Sequence, residues 1–122
     1  MWRIVTLATL SLLSATPSRA ACHVDHFDFF YGSDASATMH ASSGGRCTIK
    51  INLGHTGSIK SIAVTEQAKH GSALYNGSLG YPEIAYHSSP GYKGDDAFAF
   101  SVDGEGIHRS GLSTIRVSVD LK

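Results

Sequence analysis

Apolar and polar residues alternate along several short stretches of this chain, which is the pattern of β-strands that bury one face. In residues 97–102, the side chains of Phe98, Phe100 and Val102 fall on one side of an extended segment. The stretches 46–53 and 112–121 alternate in the same way. We therefore expect a core built from strand residues. The pattern predicts that seven of them are buried: Ile49, Ile51, Phe98, Phe100, Val102, Ile115 and Val117.

Eight strand-like stretches follow one another at short intervals, with glycine, asparagine, serine or proline between them. They are residues 27–31, 37–41, 46–53, 59–66, 72–75, 84–87, 97–102 and 112–121. After residue 20 we find no helical periodicity. Seven or eight short strands at this spacing predict an all-β fold, an immunoglobulin-like antiparallel β-sandwich that forms one domain over residues 21–122. A small antiparallel barrel is the structural alternative.

Turn chemistry surrounds the strand at 97–102. Pro90 and Gly91 interrupt the chain before it, and Gly94 with Asp95 and Asp96 suits a tight turn. A second turn is expected at Asp103-Gly104. The sequence thus predicts a strand of about six residues with a turn at each end.

This region also resembles a known family. The pattern Pro-x-x-Gly-aromatic-x-Gly-x-Asp-x-Phe-x-aromatic-x-Val-x-Asp-Gly, followed by a final alternating strand, is similar to that of bacterial cadherin-like or immunoglobulin-like modules of secreted and surface proteins. The matching residues are Pro90, Gly91, Tyr92, Gly94, Asp96, Phe98, Phe100, Val102, Asp103 and Gly104, then Ile115, Val117 and Val119. Residues 69–73 resemble the Pro-x-His-Gly-x segment of the same modules. The resemblance covers roughly residues 45–121 and implies the sandwich and a binding or adhesive role, but no catalytic residue.

The first twenty residues resemble a secretory signal. Arg3 gives a short positive region, residues 4–13 are largely apolar, and Ser18-Arg19-Ala20 is a small-x-small cleavage site. The apolar run is too short to span a bilayer, so a membrane anchor is disfavoured. We expect cleavage after Ala20, export to the periplasm or the exterior, and no integral membrane segment in the mature chain.

The two cysteines fit that compartment. Cys22 and Cys47 are the only cysteines of the chain, and in a small exported domain the simplest arrangement is one disulfide between them. The alternative is a pair of thiols in a metal or redox site, but the Cys-x-x-Cys spacing of such sites is missing.

Charge excludes some partner classes. Without Arg3 and Arg19 the mature chain has eight basic and ten acidic residues, a net charge of −2. Since it has neither a basic stripe nor an acidic tail, nucleic acid and anionic membrane are poor partners. A protein or glycan of the cell envelope remains. Five tyrosines near predicted turns offer a recognition surface for either one, although packing at the edge of the core is the favoured interpretation of each: Tyr31, Tyr75, Tyr81, Tyr86 and Tyr92.

Histidine is the residue type that stands out chemically, with seven in the chain. His23, Asp25, His26 and Asp28 lie within six residues and form a candidate site for Zn or Cu. In an extended segment, however, His23 and His26 point to opposite faces, so we favour exposed polar residues and no cofactor.

Two further groups carry candidate chemistry. Asp95, Asp96 and Asp103 are candidate calcium ligands, as in acidic loops of cadherin-like arrays, but their spacing matches no calcium loop and capping of turns is favoured. For catalysis, the chain lacks a Gly-x-Ser-x-Gly nucleophile elbow, and no set of Ser, His and Asp is specific enough to name a reaction. We therefore expect a non-enzymatic binding or structural module, with a metal-binding protein as the alternative.

Overall fold

The computed structural model describes residues 22–51 and 57–122. In these ranges it contains eight strands: β1 (His23–Val24), β2 (Ala35–Ala41), β3 (Arg46–Lys50), β4 (Ser58–Glu66), β5 (Gly71–Ser78), β6 (Tyr81–Ser88), β7 (Gly94–Glu105) and β8 (Ser110–Leu121). They form a five-stranded sheet in the order β1-β2-β8-β7-β4 and a three-stranded sheet in the order β3-β6-β5. The predicted all-β, immunoglobulin-like sandwich is confirmed. The expected signal at 1–20 lies outside the described residues.

One strand pair departs from the antiparallel prediction. β2 runs parallel to β8, with Ala35 opposite Ile115 and Ala41 opposite Leu121, and the remaining pairs in the described ranges are antiparallel. β2 and β8 are far apart in sequence, so no short hairpin forces them to run in opposite directions.

The core lies between the two sheets, as the alternating pattern requires. Six of the seven residues expected in the core are almost fully buried: Ile49, Phe98, Phe100, Val102, Ile115 and Val117. Ile51 is only half-buried, because it follows the last residue of β3. Tyr86 of β6 stacks on Phe98 of β7 across the core, with ring centroids 5.5 Å apart.

Three local predictions are wrong. Residues 27–31 form no strand: the backbone leaves β2 after the bond from Asp25 N–H to Thr38 O. The side chains of Phe27, Phe29 and Tyr31 pack against or within the core, whereas Phe30 is exposed. The expected turn at Gly94-Asp95-Asp96 is the start of β7, paired with the end of β8. The expected turn at Asp103-Gly104 also lies within β7, and the hairpin turn comes later, at 106–109.

A disulfide joins Cys22 to Cys47, as expected, and ties the N-terminal segment to β3. Closing a loop with a sequence separation of 25 contributes about 3.5 kcal/mol in the chain-entropy model. The segment 22–29 and residues 48–51, at and just after the end of β3, line a cleft of about 700 Å³. In the described residues there is no helix long and apolar enough to cross a membrane.

Candidate functional site

The two ends of the sandwich have different surfaces. At one end, which we call the polar end, lie the connections 42–45, 67–70 and 89–93. At the opposite end, the apolar end, lie the segment 30–34 and the two hairpin turns at 79–80 and 106–109. Hairpin turns held on a rigid sheet are common positions for recognition residues.

Large hydrophobic side chains are exposed chiefly at the apolar end. In the described residues seven such side chains are exposed, and five of them are at this end: Tyr81 (84%), Ile107 (68%), Leu112 (61%), Phe30 (54%) and Leu79 (43%). The other two, Leu74 and Tyr75, are on the edge strand β5. Exposed apolar side chains grouped at one end of a small domain make that end a candidate interaction site.

A cation lies within this surface. The guanidinium of Arg109 lies over the ring of Phe30, 5.1 Å from its centroid. No carboxylate of the described residues lies within 4.0 Å of Arg109. Nearby, Lys60 Nζ donates to Glu105 Oε1 at 2.7 Å, and this contact lowers the pKa of Glu105 and raises that of Lys60. The charge of Arg109 is therefore available to a binding partner, whereas the charge of Lys60 is already paired with Glu105.

The base of the apolar end is firmly packed. The ring of Tyr31 fills the space above three glycines, Gly57, Gly104 and Gly106, each of which would meet it with an added Cβ. Phe29 packs edge-to-face on the same ring. Burial raises the pKa of Tyr31. These contacts explain why Gly104 sits in a strand and not in the turn that the sequence predicted.

Side-chain bonds fix the segment that carries Phe30. The hydroxyl of Ser113, buried on β8, donates to Phe30 O at 3.0 Å and accepts from Gly32 N–H at 2.9 Å. Asp34 Oδ1 accepts the N–H of Thr114 at 3.0 Å. The exposed ring of Phe30 is thus presented from a held backbone.

Asp96 organises the polar end. Its buried carboxylate accepts four hydrogen bonds: Oδ1 from Lys69 N–H (3.0 Å) and Ala97 N–H (2.9 Å), and Oδ2 from His70 N–H (3.2 Å) and Tyr86 Oη–H (2.7 Å). Burial, followed by this hydrogen bond, raises the pKa of Tyr86 well above its usual range. The rings of His70 and Tyr92 stack with their centroids 3.6 Å apart.

The candidate calcium ligands are not brought together. Asp96 already accepts four hydrogen bonds, Asp95 is exposed beside it, and Asp103 lies eight residues after Asp95 on the same strand. At about 3.3 Å per strand residue, that separation is about 26 Å. The capping role that the sequence favoured therefore fits Asp96, although the groups capped are distant backbone amides as well as its own neighbour.

The N-terminal histidines and aspartates separate into two groups. His26 Nε2 is 3.3 Å from Asp28 Oδ1, and both side chains are largely exposed. His23 Nε2 is 3.2 Å from Asp25 Oδ1, and here His40 joins them, with Nε2 3.1 Å from Asp25 Oδ2. The hydrogen bond to Asp25 is the main cause that raises the pKa of His40. As the side chains stand, no group of three or more His, Cys, Asp or Glu side chains in the described ranges could hold a metal ion.

Sequence reasoning passed over Ile107, Leu112 and His40. Leu112 had a readable signal, since its position is out of phase with the buried series Ile115, Val117 and Val119. His40 had none in its neighbourhood, because its proximity to His23 depends on strand register.

Comparisons with known proteins add little beyond these observations. No protein-family model matches the chain, and no curated protein matches it. Among solved structures, PbICP-C in complex with falcipain-2 is similar with a TM-score of 0.44 and 12% identity, covering 80% of this chain and 95% of that one. A cysteine protease inhibitor from Entamoeba histolytica gives a TM-score of 0.31 and 13% identity, with coverage of 74% and 96%. At these TM-scores neither similarity carries an argument about function.

Proposed function

We propose that this chain is a non-enzymatic, exported immunoglobulin-like module that binds a protein of the cell envelope through its apolar end. The observation that carries the proposal is the grouping of exposed Phe30, Tyr81, Ile107 and Leu112, with Leu79, on one end of the sandwich. While these side chains face water, the protein lacks the favourable free energy of burying them, about 25 cal/mol per Å² of apolar surface. A partner that covers them gains this free energy for the complex.

The composition of this surface favours a protein over a glycan. Ile107 and Leu112 are aliphatic and offer no stacking face to a sugar ring, whereas tyrosine and arginine are enriched at the energetic centre of protein interfaces. Arg109, held over Phe30, supplies the arginine. The firm packing of Tyr31 at the base of this end means that the backbone there loses little conformational entropy on binding.

Export is supported by the disulfide between Cys22 and Cys47, because such bonds persist in oxidising compartments. Intact-mass measurement of material recovered from the native host tests this part. A mass that begins at Ala21 with no free thiol is expected. A chain that retains Met1, or two free thiols, would contradict export.

Site-specific photocrosslinking tests the binding end. A benzophenone amino acid replaces Ile107 or Tyr81 in the exported protein, with Lys93 of the polar end as the matched exposed control. Discrete adducts are expected from the first two positions and none from Lys93. The purified partner should then bind the Leu112→Ser variant at least about tenfold more weakly than the parent. Equal crosslinking from both ends, or an unchanged affinity, would refute the proposal.

A further inference from the structure

A histidine pair faces solvent on the β1-β2 ladder, far from the surface proposed for protein binding. His23 and His40 are directly opposite each other in this antiparallel pair. Directly opposed residues project their side chains to the same face, and here the two rings stack with centroids 6.2 Å apart and an angle of 22° between planes. The backbone thus fixes two imidazoles side by side.

Asp25 places a carboxylate between the two rings. It lies two residues after His23 on the same extended segment, and its N–H bonds Thr38 O at 2.9 Å, which holds it against β2. One oxygen is 3.2 Å from His23 Nε2 and the other is 3.1 Å from His40 Nε2. Both imidazole nitrogens that would bind a metal therefore converge on one carboxylate.

These separations match the scale of a coordination shell. In a tetrahedral zinc site with bonds of 2.0–2.1 Å, neighbouring donor atoms lie about 3.3 Å apart. Each histidine nitrogen already stands at about this distance from an Asp25 oxygen. Coordination of one ion by all three groups therefore requires rotation of these exposed side chains, because as they stand they do not surround a common point.

The second ring nitrogen of His40 has a carboxylate behind it. His40 Nδ1 is 3.5 Å from Asp120 Oδ2, and the two residues are register partners on β2 and β8. Metal-ligating histidines commonly donate their other N–H to a carboxylate in this way, which orients the ring and increases its basicity. Lys122 Nζ, 3.9 Å from the same oxygen, adds a neighbouring positive charge.

From this arrangement we infer that His23, Asp25 and His40 bind a divalent ion of the Zn²⁺ class, with Asp120 as a positioning residue. Two imidazoles and one carboxylate suit Zn²⁺, Cu²⁺ or Ni²⁺ and do not suit Ca²⁺ or Mg²⁺, which prefer oxygen ligands alone. The ligand side chains are 38–70% exposed, so the ion has open access and water completes its coordination. This set differs from the one predicted from local sequence, because His40 replaces His26 and Asp28.

Calorimetric titration of the untagged mature protein with ZnCl₂ near neutral pH tests the site. One ion per chain is expected, with MgCl₂ and CaCl₂ giving no binding. The variants His23→Gln and His40→Gln should each weaken the affinity about tenfold or more, and Asp120→Asn by about tenfold. His26→Gln is the matched control, since its ring contacts only Asp28, and it should leave the affinity within about twofold.

Three further measurements test folding, ligand identity and stoichiometry. Far-UV circular dichroism shows whether each variant is folded without metal, and NMR of the histidine rings should show Zn²⁺-dependent shifts at His23 and His40 but not at His26. Sedimentation with Zn²⁺ should give a monomer. Equal sensitivity to His26→Gln, one ion shared between two chains, or no binding would overturn the inference.

Discussion

The polar and apolar ends of this sandwich use similar residues in opposite ways. Strand β6 carries one tyrosine at the polar end and another at the apolar end. Tyr86 is fully buried and donates its hydroxyl proton to Asp96, whereas Tyr81 is 84% exposed. The buried tyrosine holds connections together, and the exposed one is free to meet a partner.

The difference extends to the connections themselves. At the polar end, Asp96 bonds backbone amides of 67–70, and Ser88 Oγ accepts Gly44 N–H and donates to Ser42 O in 42–45. At the apolar end, side-chain bonds hold the backbone of 30–34, but the large side chains face outward. We infer that residues of the polar end contribute mainly to stability and exposed residues of the apolar end to binding.

The largest effect is expected at Asp96. Asp96→Ala leaves the buried Tyr86 hydroxyl and three part-buried backbone N–H groups without their acceptor. An unsatisfied buried group costs about 1–3 kcal/mol, and a part-buried one costs less because water can reach it. Allowing for relaxation, we expect a loss of about 3–5 kcal/mol in the free energy of unfolding, measured in urea. Asp95→Ala, at the exposed neighbour, is the control and should change stability by less than about 0.5 kcal/mol. Equal losses would show that the polar end is not held by Asp96.

A second effect concerns alkaline pH. Tyr86 has a raised pKa, so the folded state holds this proton more tightly than the unfolded chain, whose tyrosine titrates near pH 10. The contribution of the protonated Tyr86 to the free energy of unfolding is therefore complete below about pH 10 and falls as the pH rises above that value. Tyr86→Phe removes the bond to Asp96 and should cost about 1.5–3 kcal/mol near neutral pH.

Comparing Tyr86→Phe with the parent protein tests the sign of this pH dependence. Urea unfolding over an alkaline pH series should show the stability gap between parent and Tyr86→Phe narrowing above about pH 10. A gap that is constant over the series would mean that the proton of Tyr86 is not held by the fold.

The stability of the protein should be sensitive to substitutions at the base of the apolar end. Gly104→Ala places a methyl group into the ring of Tyr31 and 2.6 Å from Ser58 O, so we expect a loss of about 1–3 kcal/mol by thermal or urea unfolding. Gly80→Ala is the matched control, because the added Cβ would meet only Ser78 Oγ, at 3.9 Å. If both variants unfold alike, Tyr31 does not pack as tightly as we describe.

Local sequence pattern predicted strands better than it predicted ends. Alternation located β3, β7 and β8 and six of the seven core residues, because period two is a direct consequence of burying one face. The same rule failed at 27–31, where the alternating aromatic side chains pack against the core but the backbone pairs with no strand. At Gly104 the pattern predicts a turn because glycine is common in turns, whereas in the structure this glycine makes room for Tyr31.

Site residues were harder to predict for a related reason. Asp96 caps amides more than twenty residues away, and His40 meets His23 only through the register of β1 with β2. Both contacts depend on which strands become neighbours, and no single stretch of sequence contains that information. The exposed Leu112 was readable in principle, since it breaks the phase of its own strand.

The smallest effect on stability is expected at the exposed residues of the apolar end, where the comparison is sharpest. Ile107→Ser and Leu112→Ser remove side chains that are more than 60% exposed, so little buried area is lost and each should change the free energy of unfolding by less than about 0.5 kcal/mol. The same substitutions should weaken binding of the crosslinked partner at least about tenfold, because the complex buries what the free protein exposes. Lys93→Ser at the polar end is the control and should leave both quantities unchanged. A stability loss above about 1.5 kcal/mol for Ile107→Ser or Leu112→Ser, roughly the cost of removing a buried side chain, would mean that these residues belong to the core and that the two ends do not divide their roles as we infer.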